Sequence, residues 1–286
     1  MTIATIVTAL DLAPGSERVA ARARQLAEEH GARLVALHVV EDLPASEAAL
    51  PGGLEPGLLT TLLEDSGHER LRSLLGPAAE LHVEAGLPHA LITRLAGDCA
   101  ADLVVIGPGV ARGLRERVFG STADRVTRCA PCPVLVVRRA PAGPYARVVT
   151  GMDFSDHARA AAGWAARIAP GARRSFVHAD DIPLGFEQSM LKTGTSQAEI
   201  GRYRAARAAI ARQKLVDSLA RAGIAPGATI RIRQGDPAIA LLAAARRADL
   251  LVIGTQGTNA VARHILGSVA RKVLMHAPCD TLVVPG

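Results

Sequence analysis

The chain repeats itself, and this limits its fold more than any other feature. Ala101-Asp-Leu-Val-Val-Ile-Gly107 returns as Ala248-Asp-Leu-Leu-Val-Ile-Gly254. The same displacement carries Gly120-Ser121 onto Gly267-Ser268, Ala130-Pro-Cys132 onto Ala277-Pro-Cys279, and Leu135-Val-Val137 onto Leu282-Val-Val284. At a slightly shorter one, Val7-Thr-Ala-Leu-Asp11 matches Val149-Thr-Gly-Met-Asp153. Agreement at so many points denotes a duplicated domain, and 286 residues leave room for two domains of ordinary size. The copies are expected at 1–140 and 145–286, joined by the short proline-bearing stretch Arg138–Tyr145.

Within each copy apolar runs alternate with helical patterns. In the first, Thr5–Leu10, Arg33–Val40, Leu81–Val83, Leu103–Ile106 and Val134–Val137 read as strands. Helices are expected from Ser16 (as a cap) to Gly31, over Leu58–Leu75, over Pro88–Ala96 and from Ser121. The second copy follows with strands ending at Met152 and at Ser175–Ala179, Thr229–Arg233, Leu250–Ile253 and Thr281–Val284. Its helices are expected from Ser155, over Arg202–Ala222 and from Pro237. Such alternation predicts an α/β fold: two repeated doubly wound domains, each a mostly parallel five-stranded sheet with helices on both faces. The composition agrees. It is 49% hydrophobic but only 2% aromatic, so Ala, Val, Leu and Ile must fill the core, as in sheets buried on both faces. Two stretches, Pro44–Gly57 and Pro183–Gln197, lack a pattern and are expected to be irregular, partner-contacting segments.

A net charge of +6 invites thoughts of nucleic acid or an anionic membrane. The arginines, however, are scattered among Glu and Asp along helices, and no aromatics are interleaved to stack bases. Neither partner is expected. Met1–Leu10 lacks the basic start of a signal peptide, and no apolar run approaches a membrane span, so a cytoplasmic protein with reduced thiols is the expectation. Cys129-Ala-Pro-Cys132 has the spacing of a redox pair, but the second copy reads His276-Ala-Pro-Cys279; packing is the expected role. No His, Cys or Asp set has the spacing of a structural zinc site.

In open α/β sheets ligands sit outside the carboxyl ends of the strands. After Leu250–Ile253 comes Gly254-Thr-Gln-Gly257, then nine residues, then Gly267-Ser268 opening a helix. Glycines let backbone amides approach an anion, a helix N-terminus adds free amides, and Ser268 offers a hydroxyl. Arg263 and His264, and Arg112, Arg115 and Arg117 in the first copy, are loop residues able to neutralise phosphate or simply to stay solvated. His38 and His178 read as packed, hydrogen-bonded residues at strand ends. No His–Asp pair accompanies Ser268 to make it a nucleophile.

The pattern Gly254-x2-Gly257-x9-Gly267-Ser268 resembles that of the ATP-binding universal stress proteins in every fixed position, and the likeness extends over nearly the whole chain, twice. It implies an adenine nucleotide alpha hydrolase-like, Rossmann-like fold and a regulatory stress protein rather than an enzyme, with little or no hydrolysis. It also implies ATP as ligand, with Mg²⁺ or Mn²⁺, contacted in the second copy by Asp153, Ala179, Gly254, Gly257, Gly267 and Ser268. In the first copy the matching positions are Asp11, Val39, Gly107, Gly109, Gly120 and Ser121. There Val110 stands where the middle glycine belongs, and Gly109 serves only with a shifted turn. The resemblance further implies that the copies pair through Val134–Val137 and Leu282–Val284 as a pseudo-dimer, with a homodimer open. Two other readings stay open: an interaction module of this fold without nucleotide, and an adenylyltransferase or pyrophosphatase relative. The latter's HxGH and SGGxDS motifs are missing after the first strands.

Overall fold

The computed structural model describes residues 2–40, 56–109, 119–182, 184–224, 228–257 and 265–286, with the backbone alone for 56–60 and 184. Contacts divide it into two compact units, 1–144 with 280–283, and 145–279 with 284–286.

The first unit runs β1 (Thr5–Ala9), α1 (Ser16–His30), β2 (Arg33–Val40), α2 (Pro56–Leu75), β3 (Glu80–Ala85), α3 (Pro88–Asp98), β4 (Leu103–Ile106), α4 (Ser121–Cys129) and β5 (Val134–Val136). The strands lie in the order β3-β2-β1-β4-β5, all parallel. β4 and β5 are buried along their whole length, as their unbroken aliphatic runs require. Val19, Ala23 and Leu26 of α1 face the sheet. Ser16 does not cap α1 as expected. The cap position belongs to Gly15, in the left-handed region at φ 102°, and the Ser16 hydroxyl turns back to donate to Asp11 Oδ1 at 2.6 Å.

The recurring Ala-Asp-Leu triplet has a structural reason. Asp102 Oδ2, just before β4, accepts from the amides of Ala4 and Thr5 at 2.7 and 3.1 Å. Asp249 repeats this before the matching strand of the second unit, accepting from Ala146 and Arg147 at 3.1 and 2.9 Å. Each carboxylate satisfies leading amides of the neighbouring strand that the ladder leaves open. For Asp249, burial raises the carboxyl pKa, but the Arg147 guanidinium and the two amides outweigh it and leave it below 3.8.

The second unit contains β6 (Arg147–Gly151), α5 (Asp156–Ile168), β7 (Arg173–Asp180), α6 (Leu184–Lys192), α7 (Gln197–Arg221), β8 (Thr229–Gln234), α8 (Pro237–Ala245), β9 (Leu250–Gly254) and α9 (Ser268–His276). Its parallel strands are ordered β9-β6-β7-β8. Phe176 is fully buried with Met152, Ala158, Ala162, Leu215 and Leu219. The alanines of α5 allow that helix to lie close on the sheet. Of 183–197, residue 183 lies outside those described, and the rest is not all irregular. It holds α6, tied to α7 by a Glu187–Arg204 ion pair at 2.6 Å and a Phe186–Tyr203 ring contact. α7 begins five residues before the expected start because Ser196 and Glu199 form a reciprocal capping box. Of 44–57, residues 44–55 lie outside those described, and Pro56 and Gly57 open α2.

The last strand, β10 (Asp280–Val284), pairs antiparallel with β5, Leu282 opposite Leu135. This brings together the two segments expected to meet, and contacts group 280–283 with the first unit. Asp280, 1% exposed, pairs there with buried Arg22 at 3.3 Å. Its Oδ1 accepts from the amides of Arg138 and Arg139 at 2.7 and 3.1 Å. No described helix is long and apolar enough to cross a membrane.

Two outcomes follow from these carboxylates. Asp280→Ala removes the ion-pair partner of the buried Arg22 and an acceptor from two amides, and should lower unfolding free energy by about 3–5 kcal/mol in urea titration. Asp249 has a depressed folded pKa, so its stabilisation is complete above 3.8 and fades as pH falls through the lowered value. Asp249→Asn should therefore flatten the acid limb of the stability profile, measured by thermal unfolding from about pH 5 to about pH 3.

Candidate functional site

The carboxyl ends of β6, β7 and β9 open on a cavity of about 580 Å³ in the second unit, within the range of small-molecule sites. Its inner wall is aliphatic: Met152, Val177, Leu241 and Ile253. Its outer wall is the turn Gly254–Gly257 and the start of α9. All six residues expected here from the sequence, Asp153, Ala179, Gly254, Gly257, Gly267 and Ser268, line this one space.

Close contacts account for the glycines. A Cβ on Gly254 would lie 2.7 Å from His157 Cβ, and one on Gly257 would lie 2.7 Å from Asp153 Oδ2. Such approaches leave no room for a side chain. The turn is closed by the Gly267 amide donating to Thr255 O at 2.8 Å and by Gln256 Nε2 donating to Ile265 O at 2.9 Å. Gly267, not Ser268, is the N-cap of α9, and no side chain caps that helix. The first intrahelical bond is from Arg271 N to Gly267 O, so the amides of Ser268, Val269 and Ala270 precede the ladder and are available to a ligand. The first turn carries no acidic residue, leaving the positive end of the helix dipole uncancelled.

Asp153 is the one carboxylate among the described lining residues. Its Oδ1 accepts from the Ser155 amide and hydroxyl at 3.0 and 2.5 Å, which leaves Oδ2 beside Gly257. Phe154, next in sequence, adopts a positive φ of 69°, and its ring packs on His178 with centroids 4.5 Å apart. His178 Nδ1 donates to Met152 O at 2.7 Å; it is a strut between strand ends. Asp180, after Ala179, is gripped by both Nε and Nη2 of Arg207 at 3.1 and 2.6 Å, a bond that holds its carboxyl below the usual range. Sequence reasoning missed the contribution of Pro237 and Leu241 from α8, and the His157–Thr255 contact at 3.0 Å.

The first unit places Asp11 just beyond β1, Val39 near the end of β2, Gly107 and Gly109 after β4, and Gly120 and Ser121 at the start of α4. His38 repeats the strut to Leu10 O at 2.8 Å, and Leu12 repeats the positive φ at 56°. The glycine turn differs. Gly109, at φ 82°, lies against Gly120 so closely that a Cβ on it would be 2.9 Å from Gly120 Cα. In the reverse direction a Cβ on Gly120 would be 3.0 Å from Gly109 Cα, where the matching gap in the second unit, from a Cβ on Gly267 to Gln256 Cα, is 3.7 Å. The first turn of α4 also holds Asp124, paired with Arg128 at 2.8 Å. Val110, Arg112, Arg115, Arg117, Arg263 and His264 lie outside the described residues.

Among the described residues no His, Cys, Asp and Glu group is arranged to hold a metal. Cys129 is exposed and Cys132 buried. Burial, aided by the Asp102 carboxylate, pushes the Cys132 thiol up to about 12, which suits packing and opposes thiolate chemistry.

Comparison with known proteins agrees with this architecture. The model of the universal stress protein family matches twice, over residues 2–138 and 144–285. A universal stress protein of Methanocaldococcus jannaschii is 34% identical over 140 residues, 47% of this chain and 81% of that protein. One from Thermus aquaticus is 37% identical over 149 residues, 49% of this chain and 98% of its own. The crystal structure of a universal stress protein from Archaeoglobus fulgidus shares the fold at a TM-score of 0.63, with 18% identity and 98% of both chains covered. The chain belongs to the universal stress protein family and carries its domain twice in tandem.

Proposed function

We propose that the second unit binds ATP and that the protein acts as a nucleotide-responsive regulator rather than a catalyst. One observation carries this reading: a cavity of nucleotide size has an aliphatic wall at one end and converging main-chain amides at the other. The base would lie against Met152, Val177 and Ala179, and Asp153 Oδ2 is placed to accept from the sugar or base. The triphosphate would lie along Gly254–Gly257 and the amides of Ser268–Ala270, where a helix N-terminus favours negative charge. Mg²⁺ or Mn²⁺ would arrive as the counter-ion of the phosphates. The single lining carboxylate is already engaged by Ser155, which leaves no described general base for water and favours binding over turnover. Ordering of the glycine turn on binding is the means by which occupancy reaches the surface and a protein partner.

The first unit supports the reading without nucleotide. The Gly109–Gly120 contact narrows the turn, and Asp124 offsets the helix dipole that would attract phosphate.

Calorimetric titration with Mg-ATP should give one site per chain. Gly257→Val, whose side chain must displace Asp153, should weaken binding more than about tenfold, above ~1.4 kcal/mol. Two equal sites would overturn the assignment of the halves, and an unaffected Gly257→Val protein would overturn the location of the site.

A further inference from the structure

A histidine holds the glycine turn of the second unit from behind. His157, in the first turn of α5, brings Nδ1 to 3.0 Å from Thr255 Oγ1, and Thr255 lines the cavity. The approach depends on Gly254, since a Cβ there would also lie 3.0 Å from the His157 carbonyl carbon. Gly286 covers the ring, so closely that a Cβ on it would fall 2.4 Å from the ring carbon Cε1. The first unit has no counterpart: Pro108 stands in the place of Thr255, and the first turn of α1 carries Ser16, Glu17 and Arg18 but no histidine.

We propose that His157 is a positioning residue that sets the direction of the Thr255 hydroxyl, so that nucleotide affinity rises when the imidazole takes up a proton. This rests on the nucleotide reading above. A hydroxyl has one proton to give and two lone pairs. When Nδ1 is bare, Thr255 donates to it and turns only lone pairs toward the cavity, against phosphate oxygens. When Nδ1 carries a proton, as it must in the imidazolium, the ring donates to Oγ1 and the threonine proton is released to a phosphate oxygen. A bound anion therefore favours the protonated ring, and by linkage the protonated ring favours the anion. Among the described residues the charges around the ring are few. Asp156 and Arg159 on α5 pair with each other. Asp153 ends β6 with Oδ1 held by Ser155. From the β10 side comes the main chain of Gly286, and from the β9 side the neutral Thr255.

Calorimetric titration with ATP from about pH 5.5 to about pH 8.5 spans the range in which imidazoles change charge. Wild type, His157→Phe, His157→Asn and Thr255→Val are compared, so that the ligand's own titration cancels. Relative to His157→Phe, wild type should gain about fivefold in affinity as pH falls, the worth of one hydrogen bond. His157→Asn, which can present an N–H where Nδ1 sits, should recover the affinity of the acid form and lose its pH dependence. Thr255→Val should remove the pH effect from the other side, and His157→Phe added to it should cost nothing more. A His157→Phe protein that binds ATP with the wild-type pH profile would overturn this proposal alone. Wild type that gives no heat at any pH would overturn the nucleotide reading, and this proposal with it.

Discussion

A carboxylate seated on the leading amides of a neighbouring strand sets the frame of each half. Asp102 holds Ala4 and Thr5, and Asp249 holds Ala146 and Arg147. A parallel pair has no hairpin turn to fix its alignment, and a slip of one residue would exchange the faces of the whole strand. With Asp249 in place Thr150 lies opposite Val252, so the carboxyl ends of β6 and β9, from which Asp153 and Gly254 emerge, lie side by side. The cavity of the second unit exists because those two ends adjoin.

From that common frame the two halves part. Both keep the aspartate after the first strand, the histidine strut and a residue of positive φ between them. They differ in the turn that follows the fourth strand of each copy. In the second unit Gly257 makes way for Asp153, and the helix beyond it begins without an acid. In the first, two glycines press together and Asp124 sits in the first helical turn. Duplication preserved the scaffold, whose parts support one another, while the surface beyond the strand ends was free to diverge.

The repeat and the aliphatic runs made the sheet legible in advance, because buried parallel strands leave little choice of residue. The glycine spacing marked residues that do line the cavity, where neighbours approach to within 2.7 Å of a Cβ position. What the sequence concealed depends on contacts between distant residues. His157 and Thr255 are 98 positions apart, and nothing near either one announces the other. Leu241 reads as an ordinary apolar helix residue until α8 is laid over the cavity. Local competition hid the rest. Ser16 has the chemistry of a helix cap, yet Asp11 lies within reach of its hydroxyl and Gly15 makes the turn instead. The short helix α6 escaped notice because its stability comes from Arg204 and Tyr203 on α7, not from a strong apolar stripe of its own.

The placement of β10 has a consequence for biosynthesis. A ribosome releases the amino-terminal half first, and domains generally fold as they emerge. Here the strand beside β5, and the carboxylate that answers Arg22, lie far downstream in the chain, after the helices of the second unit. Until translation reaches residue 283 the early half carries an open strand edge beside β5. Its maturation is thereby tied to synthesis of the other copy, and a truncated product would leave that edge open.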